Sequence, residues 1–217
     1  MRIELSPDHP EPRKIARAVA ALESGQLVAY PTDTVYALGC DLAQKKAIDL
    51  LYLARMMPRT QPLAFVVPDL SEVARYAVVQ DFHYRYIKKL IPGPFTFILE
   101  ATREVPKLVM MKRKTIGIRV PDNQVALALA RALGRPILTT SAIHPTQGPE
   151  PIQDPDLIDD VFRVEVVLDA GLGGIEQSTI LDLTRAEPTI LREGAGMDRL
   201  EAVFGPRSAI PRDALKE

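Results

Sequence analysis

The 217-residue sequence has one cysteine, Cys40, so it has no internal disulfide framework, and a lone thiol fits a reducing compartment. No apolar run approaches the roughly 20 residues that a membrane helix needs. The leading "MRIELSPDHPEPRK" lacks the apolar core of a secretory signal, which makes the cytoplasm the expected location. No G-x-x-x-x-G-K-[ST] occurs, which excludes a P-loop, and "GLGGIE" at 171–176 lacks the third glycine of a dinucleotide fingerprint. The histidines His9, His83 and His144 are scattered, and neither H-E-x-x-H nor C-x-x-C is present, so no metal held by protein side chains is expected. His83, between Phe82 and Tyr84, reads as packing or surface. Ser141 and Ser178 lack the G-x-S-x-G of a serine hydrolase. Cys40, which follows a strand, reads as a small buried hydrophobe before it reads as a nucleophile.

What is present is ordinary in bulk and uneven in detail. Hydrophobic residues make up 47% and charged residues 25%, with a net charge of −1, which fits a single globular domain and excludes an indiscriminate polycation. Basic residues nevertheless cluster: Lys112, Arg113, Lys114 and Arg119 in one stretch, and Arg85, Lys88 and Lys89 in another. Such runs either form a solvated face or bind phosphate backbones.

Periodicity assigns the elements. Ile15, Val19 and Leu22 recur at helical spacing over 13–24, with Gly25 as the stop, and a strand through Leu27–Tyr30 follows. Residues 44–56 are helical by spacing, with Ile48, Leu51, Tyr52 and Arg55 on one face. Pro62 opens the buried strand "LAFVV". Helices near 71–76 and 81–91 precede "FTFILEA" and "TIGIRV" as strands; "NQVALALARALG" is a helix with Asn123 as N-cap, and "PILTT" a strand. The proline-rich 144–156 is a surface loop. "VEVVLDA", "STILDLT" and "TILRE" are further strands, with a short helix at 197–204. Helices alternate with strands early and strands cluster late, which predicts one mixed-sheet α/β domain.

Polar groups recur where those strands end: Thr32, Asp33, Thr34 and Tyr36; Thr139, Thr140 and Ser141; Ser178 and Thr179; Arg192 and Glu193. Arg55, Arg119 and Arg192 lie near them in sequence. Ligands of open α/β sheets bind at the carboxyl ends of strands, and hydroxyls beside arginines suit a carboxylate or phosphate. Each residue alone is explained by turn capping; repeated clusters of one character argue for a shared anion site.

In that order, "YPTDTVYALG", "IGIRVP", "ILTTSA", "STILDLT" and "ILREGAG" resemble the YrdC/YciO family, whose YrdC branch comprises threonylcarbamoyl-adenylate synthases. "PGPFTFIL" and "KRKTIGIRVP" look closer to the YciO branch. The resemblance covers about residues 10–200, read as one YrdC-like domain, with 201–217 as a C-terminal tail. It implies a twisted open mixed sheet with a basic concave cavity. It also implies condensation of L-threonine, bicarbonate and ATP, the last entering with Mg2+, into threonylcarbamoyl-AMP for tRNA modification. By resemblance, Thr32, Thr34, Tyr36, Arg119 and Thr139 bind the amino acid; Arg55, Ser141, Ser178, Thr179 and Arg192 bind the nucleotide; and Arg55 and Arg119 stabilise charge without a protein nucleophile. Lys112, Arg113 and Lys114 would contact tRNA or double-stranded RNA. The alternative is a non-catalytic RNA-binding protein with a vestigial cavity.

Three positions depart from the YrdC pattern. "RMMP" carries Met57 where YrdC members have a second cation, "SAI" carries Ile143 in place of an asparagine, and Ala37 replaces a glycine. A charge-assisted hydrogen bond is worth roughly 1.5–3 kcal/mol, so loss of one cation and one amide is expected to weaken triphosphate handling strongly.

Overall fold

The computed structural model describes residues 1–109, 114–185 and 187–213. Its strands are β1 (Arg2–Glu4), β2 (Val28–Tyr30), β3 (Ala37–Asp41), β4 (Ala64–Val66), β5 (Phe95–Glu100), β6 (Thr115–Arg119), β7 (Ile137–Ser141), β8 (Val166–Asp169), β9 (Thr179–Asp182) and β10 (Thr189–Arg192). The helices are α1 (Pro12–Glu23), α2 (Lys45–Ala54), α3 (Leu70–Tyr76), α4 (Asp81–Leu90), α5 (Gln124–Leu133), α6 (Pro155–Phe162) and α7 (Met197–Phe204). All the strands join one mixed sheet in the order β1-β8-β2-β3-β7-β4-β6-β5-β9-β10.

Local chemistry starts and stops the helices where periodicity places them. Asn123 Oδ1 accepts from Ala126 N at 3.0 Å to cap α5, and Gly134, at φ 69°, takes the left-handed position that ends it. Asp69 caps α3 through Ser71 N and Glu72 N. The face of α1 carrying Ile15, Ala18, Ala21 and Leu22 is buried, with half-buried Val19 packed beside it, while Arg13, Ala16, Arg17, Ala20 and Glu23 are exposed.

Three elements escape the sequence reading. Every residue of β3 is buried, so this central strand shows no alternation, and its "ALGCD" lacks the β-branched run that would mark it. Cys40 sits in it, fully buried. β1 is three residues long and lies before residue 10, yet it pairs in parallel with β8 from Arg2↔Val167 to Glu4↔Asp169. The 144–156 segment holds a 3-10 turn at Pro145–Gln147, and its last residues open α6, with Pro155 in the first turn and Asp154 accepting from Asp156 N. At the other end α7 runs across residue 200, and Ile190 of β10 bonds Pro211 O at 2.8 Å and Asp213 N at 3.0 Å, so residues 211–213 line the sheet edge.

Apolar packing differs on the two faces. One face is covered along its length by α2, α3, α4, α6 and α7, and Phe65, Phe95, Phe97, Ile118, Leu138, Leu181 and Ile190 are buried there. On the other face α1 and α5 cover only part: that cluster includes Val28, Tyr30, Ala37, Val66 and Ile137, but no residue of β5, β6, β9 or β10. The register continues this face outward from Thr139 through Ala64, Gly117 and Ile98, and from Thr96 through Ile180 to Arg192. Since side chains alternate along a strand, the partly covered face also receives Arg119 and Ser141.

Candidate functional site

The polar residues collect where the second apolar cluster stops. The β2–β3 turn folds on its own hydroxyls: Thr32 Oγ1 donates to Val35 O at 2.7 Å, accepts from Thr34 N at 3.1 Å and lies 3.0 Å from Thr34 Oγ1. Arg119, at the end of β6, reaches into this turn. Its Nη2 donates to Asp33 Oδ1 at 2.5 Å and to Thr34 Oγ1 at 3.0 Å. The Arg119 and Asp33 side chains are 10% and 11% exposed, and each keeps a buried atom without a partner, Arg119 Nε and Asp33 Oδ2. Hydrogen-bonding capacity in this pair is therefore left over, unlike most buried polar groups.

A second group forms around Arg192 at the end of β10. Its Nε and Nη2 donate to Ser178 O at 3.1 and 2.9 Å, Nη2 also to Ser178 Oγ at 3.1 Å, and Nη1 to Gln177 Oε1 at 2.9 Å. Thr96 Oγ1 lies 3.0 Å from Ser178 Oγ, and Ser141 Oγ is 3.4 Å from Gln177 Oε1. Burial first, and then the charge of Arg119, lower the Arg192 guanidinium to about 10. That effect of Arg119 couples the two groups electrostatically. Among the described residues Arg192 has no carboxylate partner, so it remains a partly desolvated cation held only by carbonyls and a hydroxyl.

Other sequence candidates are engaged elsewhere. Tyr36 is buried, and its hydroxyl donates to Gly171 O at 2.8 Å and accepts from Ala170 N at 3.2 Å. It ties the β2–β3 turn to the loop after β8, and burial pushes its phenol up to about 12. Thr139 accepts from Tyr30 Oη at 3.0 Å and donates to Leu38 O at 2.9 Å. Thr179 Oγ1 donates to Ala195 O at 2.9 Å and accepts from Gly194 N at 3.1 Å, which holds the turn that follows β10. Arg55, just after α2, makes a long 3.5 Å contact to Thr140 Oγ1, and Thr140 pairs with Leu38 on the fully covered face, opposite Ser141. Arg55 is also lowered to about 10 by burial, but no hydrogen bond joins it to Arg119 or Arg192. Met57 is buried and Ile143 half-buried. Lys112 and Arg113 lie outside the described residues; Lys114 is exposed.

Sequence reasoning placed Asp33 in the strand-end cluster without assigning it a ligand role, and it passed over Thr96 and Gln177. Thr96 carried a readable signal as the one polar side chain between Phe95 and Phe97 of a strand. Gln177 carried none beyond its place next to Ser178. The loop 171–176 closes on the turn: a Cβ on Gly174 would lie 2.1 Å from Thr34 O, and one on Gly173 2.7 Å from Tyr36 Cδ2. After β10 there is also a cavity of about 340 Å³, with Glu176, Glu193, Asp198 and Arg207 in its lining. Three carboxylates against one guanidinium suit an anion poorly. Among the described residues, no group of three or more His, Cys, Asp or Glu side chains is placed to hold a metal ion, and no helix is long and apolar enough to cross a membrane.

The chain and its fold are similar to known proteins. Residues 20–194 match the Sua5/YciO/YrdC family model, described as telomere recombination. An uncharacterized protein of Haemophilus influenzae is 44% identical over 195 residues, covering 88% of this chain and 94% of the relative. The crystal structure of Escherichia coli YciO superposes with a TM-score of 0.86 at 38% identity, covering 90% of this chain and 96% of that one. The threonylcarbamoyl-AMP synthase of Pyrococcus abyssi is 30% identical over 88% of this chain and 57% of its own length. A crystal structure of Pyrococcus abyssi Sua5 with L-threonine gives a TM-score of 0.87 at 27% identity, over 98% of this chain and 62% of that one. The chain thus spans 94–96% of the YciO-type relatives and 57–72% of the threonylcarbamoyl-AMP synthases.

Proposed function

The chain belongs to the Sua5/YciO/YrdC family, as a YciO-type member, and on that premise we propose that it binds a nucleotide and a small amino acid carboxylate on the partly covered sheet face, with weak threonylcarbamoyl-AMP synthase activity. The observation that carries the reading is the Arg119–Arg192 pair: two cations withdrawn from water on one face, the second without a carboxylate among the described residues. A carboxylate or phosphate entering there replaces lost hydration with charge-assisted hydrogen bonds. The uncovered, hydroxyl-rich stretch between them is the proposed basic cavity.

In this reading Thr32, Thr34 and Arg119 hold the L-threonine carboxylate and hydroxyl, while Ser141, Ser178 and Arg192 surround the phosphates. ATP enters with Mg2+ as part of the substrate. The carbamate formed from threonine and bicarbonate attacks the α-phosphorus, and the bond to pyrophosphate breaks. The nucleophile belongs to the substrate, so the residues orient reactants and stabilise charge. Binding without turnover is the second reading, favoured by buried Met57 and half-buried Ile143, apolar side chains where the YrdC pattern has a cation and an amide.

RNA is the proposed macromolecular partner and the cytoplasm the proposed setting. Exposed Arg85, Lys88 and Lys89 on α4 and exposed Lys114 offer phosphate contacts, with Lys112 and Arg113 adjoining in sequence. Replacing Lys112, Arg113 and Lys114 with alanine should weaken duplex RNA binding and flatten its salt slope; an unchanged slope refutes a contact there. The site itself is tested by calorimetry with L-threonine, AMP and ATP, and by pyrophosphate release with threonine or bicarbonate omitted in turn. Arg192→Gln should weaken AMP binding by about tenfold or more without abolishing it, and a wild type that binds none of these ligands overturns the reading.

A further inference from the structure

We propose that Gln177 is a ligand-contacting residue of the same site, donating through its amide nitrogen to a phosphoryl oxygen beside Arg192; the inference rests on the nucleotide reading above. Its side-chain carbonyl is committed twice, accepting from Arg192 Nη1 at 2.9 Å and from Ser141 Oγ at 3.4 Å. An arginine N–H donates and never accepts, so the atom facing it is the amide oxygen, and the orientation of the amide is fixed by chemistry. The NH2 group consequently points away from Arg192. It makes no hydrogen bond to any described residue and is only half-buried. Two donors are thus held still, beside a guanidinium, with no acceptor among the described residues.

The backbone keeps this arrangement rigid. Gln177 O accepts from Ala195 N at 2.9 Å, and Gly194 lies so close that an added Cβ would fall 2.2 Å from Gln177 O. The nearest carboxylate in sequence to Arg192 does not compete for its charge: Glu193 is paired to Arg207 and Arg212. Gln177 therefore joins β7, β9 and β10 at one point through Ser141, its neighbour Ser178 and Arg192. A group rich in acceptor lone pairs and negative charge fits that point, and a phosphoryl oxygen meets both conditions.

The test separates donation from mere support of Arg192. AMP, ATP and adenosine are titrated calorimetrically into wild type, Gln177→Met, Gln177→Glu, Arg192→Met and the Gln177→Met/Arg192→Met double variant. Gln177→Glu keeps an acceptor for Arg192 and Ser141 but loses both donors, so it should fold with an unchanged or higher Tm yet bind AMP about tenfold more weakly. Gln177→Met should weaken AMP and ATP similarly, leave adenosine unchanged, and still lower AMP affinity when Arg192 is already methionine. If Gln177→Met has no effect in the Arg192→Met background, Gln177 acts only through Arg192 and the proposal fails. Wild-type binding with both Gln177 variants unaffected overturns this proposal alone. A wild type that binds neither AMP nor ATP overturns the nucleotide reading and this proposal with it.

Discussion

Asp33→Asn is the sharpest perturbation of the site because it removes one charge and almost no volume. Asp33 and Arg119 meet at 2.5 Å with side chains 11% and 10% exposed. Breaking a buried pair by neutralising one member costs about 3–5 kcal/mol, since the other charge stays buried and uncompensated. The asparagine carbonyl still accepts from Arg119, which places the cost near the low end, about 3 kcal/mol. For a chain of this size each kcal/mol moves Tm by roughly 2–4 °C, so a fall of about 6–12 °C is expected. The same change removes the carboxylate that competes with an incoming one for Arg119. Exchanging the neutral amide acceptor for a ligand carboxylate gains a charge-assisted hydrogen bond of about 1.5–3 kcal/mol, which should raise L-threonine affinity by about tenfold or more. Saturating threonine should then recover much of the lost stability, because a ligand at 100 times its dissociation constant adds about 2.7 kcal/mol. Thermal unfolding with and without threonine, alongside calorimetry, reads both effects. An Asp33→Asn variant as stable as wild type, with unchanged threonine affinity, refutes the view of Asp33 as the charge that a ligand displaces.

Gly174→Ala places a methyl 2.1 Å from Thr34 O, so the loop or the turn must move; a loss of about 1–3 kcal/mol and weakened threonine binding are expected from unfolding curves and titration, and a neutral result would show that the loop does not press on the turn. Burial lowers Arg192 and Arg55 from 12.5 to about 10, so the folded chain sheds these protons before the unfolded one; that penalty is present in full below about 10 and is relieved as pH rises toward 12.5. Both therefore stay cationic from pH 6 to 9: threonine affinity should be flat there, AMP affinity should follow only the phosphate's second ionisation near about 6, and calorimetry across the range would expose any protein-side inflection that contradicts this. Met57→Arg with Ile143→Asn returns the guanidinium and the amide of the YrdC pattern. Pyrophosphate release from ATP, threonine and bicarbonate should rise by about tenfold, roughly 1.4 kcal/mol, with a lower Tm because the new cation is buried; a folded variant no faster than wild type counts against a weakened synthase.

Local signals alone sufficed for α1 and α5, where apolar spacing, Asn123 and Gly134 state a helix and its ends without reference to the rest of the chain. The polar motifs at the strand ends were equally legible and pointed to the family. β3 was not, because a strand buried on both faces has no alternation to read, and β1 exists only because β8 lies beside it. The division of labour among the polar residues also needed the tertiary structure. Arg119 meets Asp33 across 86 positions of sequence, and Thr96 meets Ser178 across 82. Adjacent hydroxyls part company for the same reason: Ser141 faces Gln177, Thr140 faces Arg55, and Thr139 is spent on Tyr30 and Leu38. A sequence states which side chains can bind an anion; which of them share a face depends on strand order and register, and those are set by packing between residues far apart in the chain.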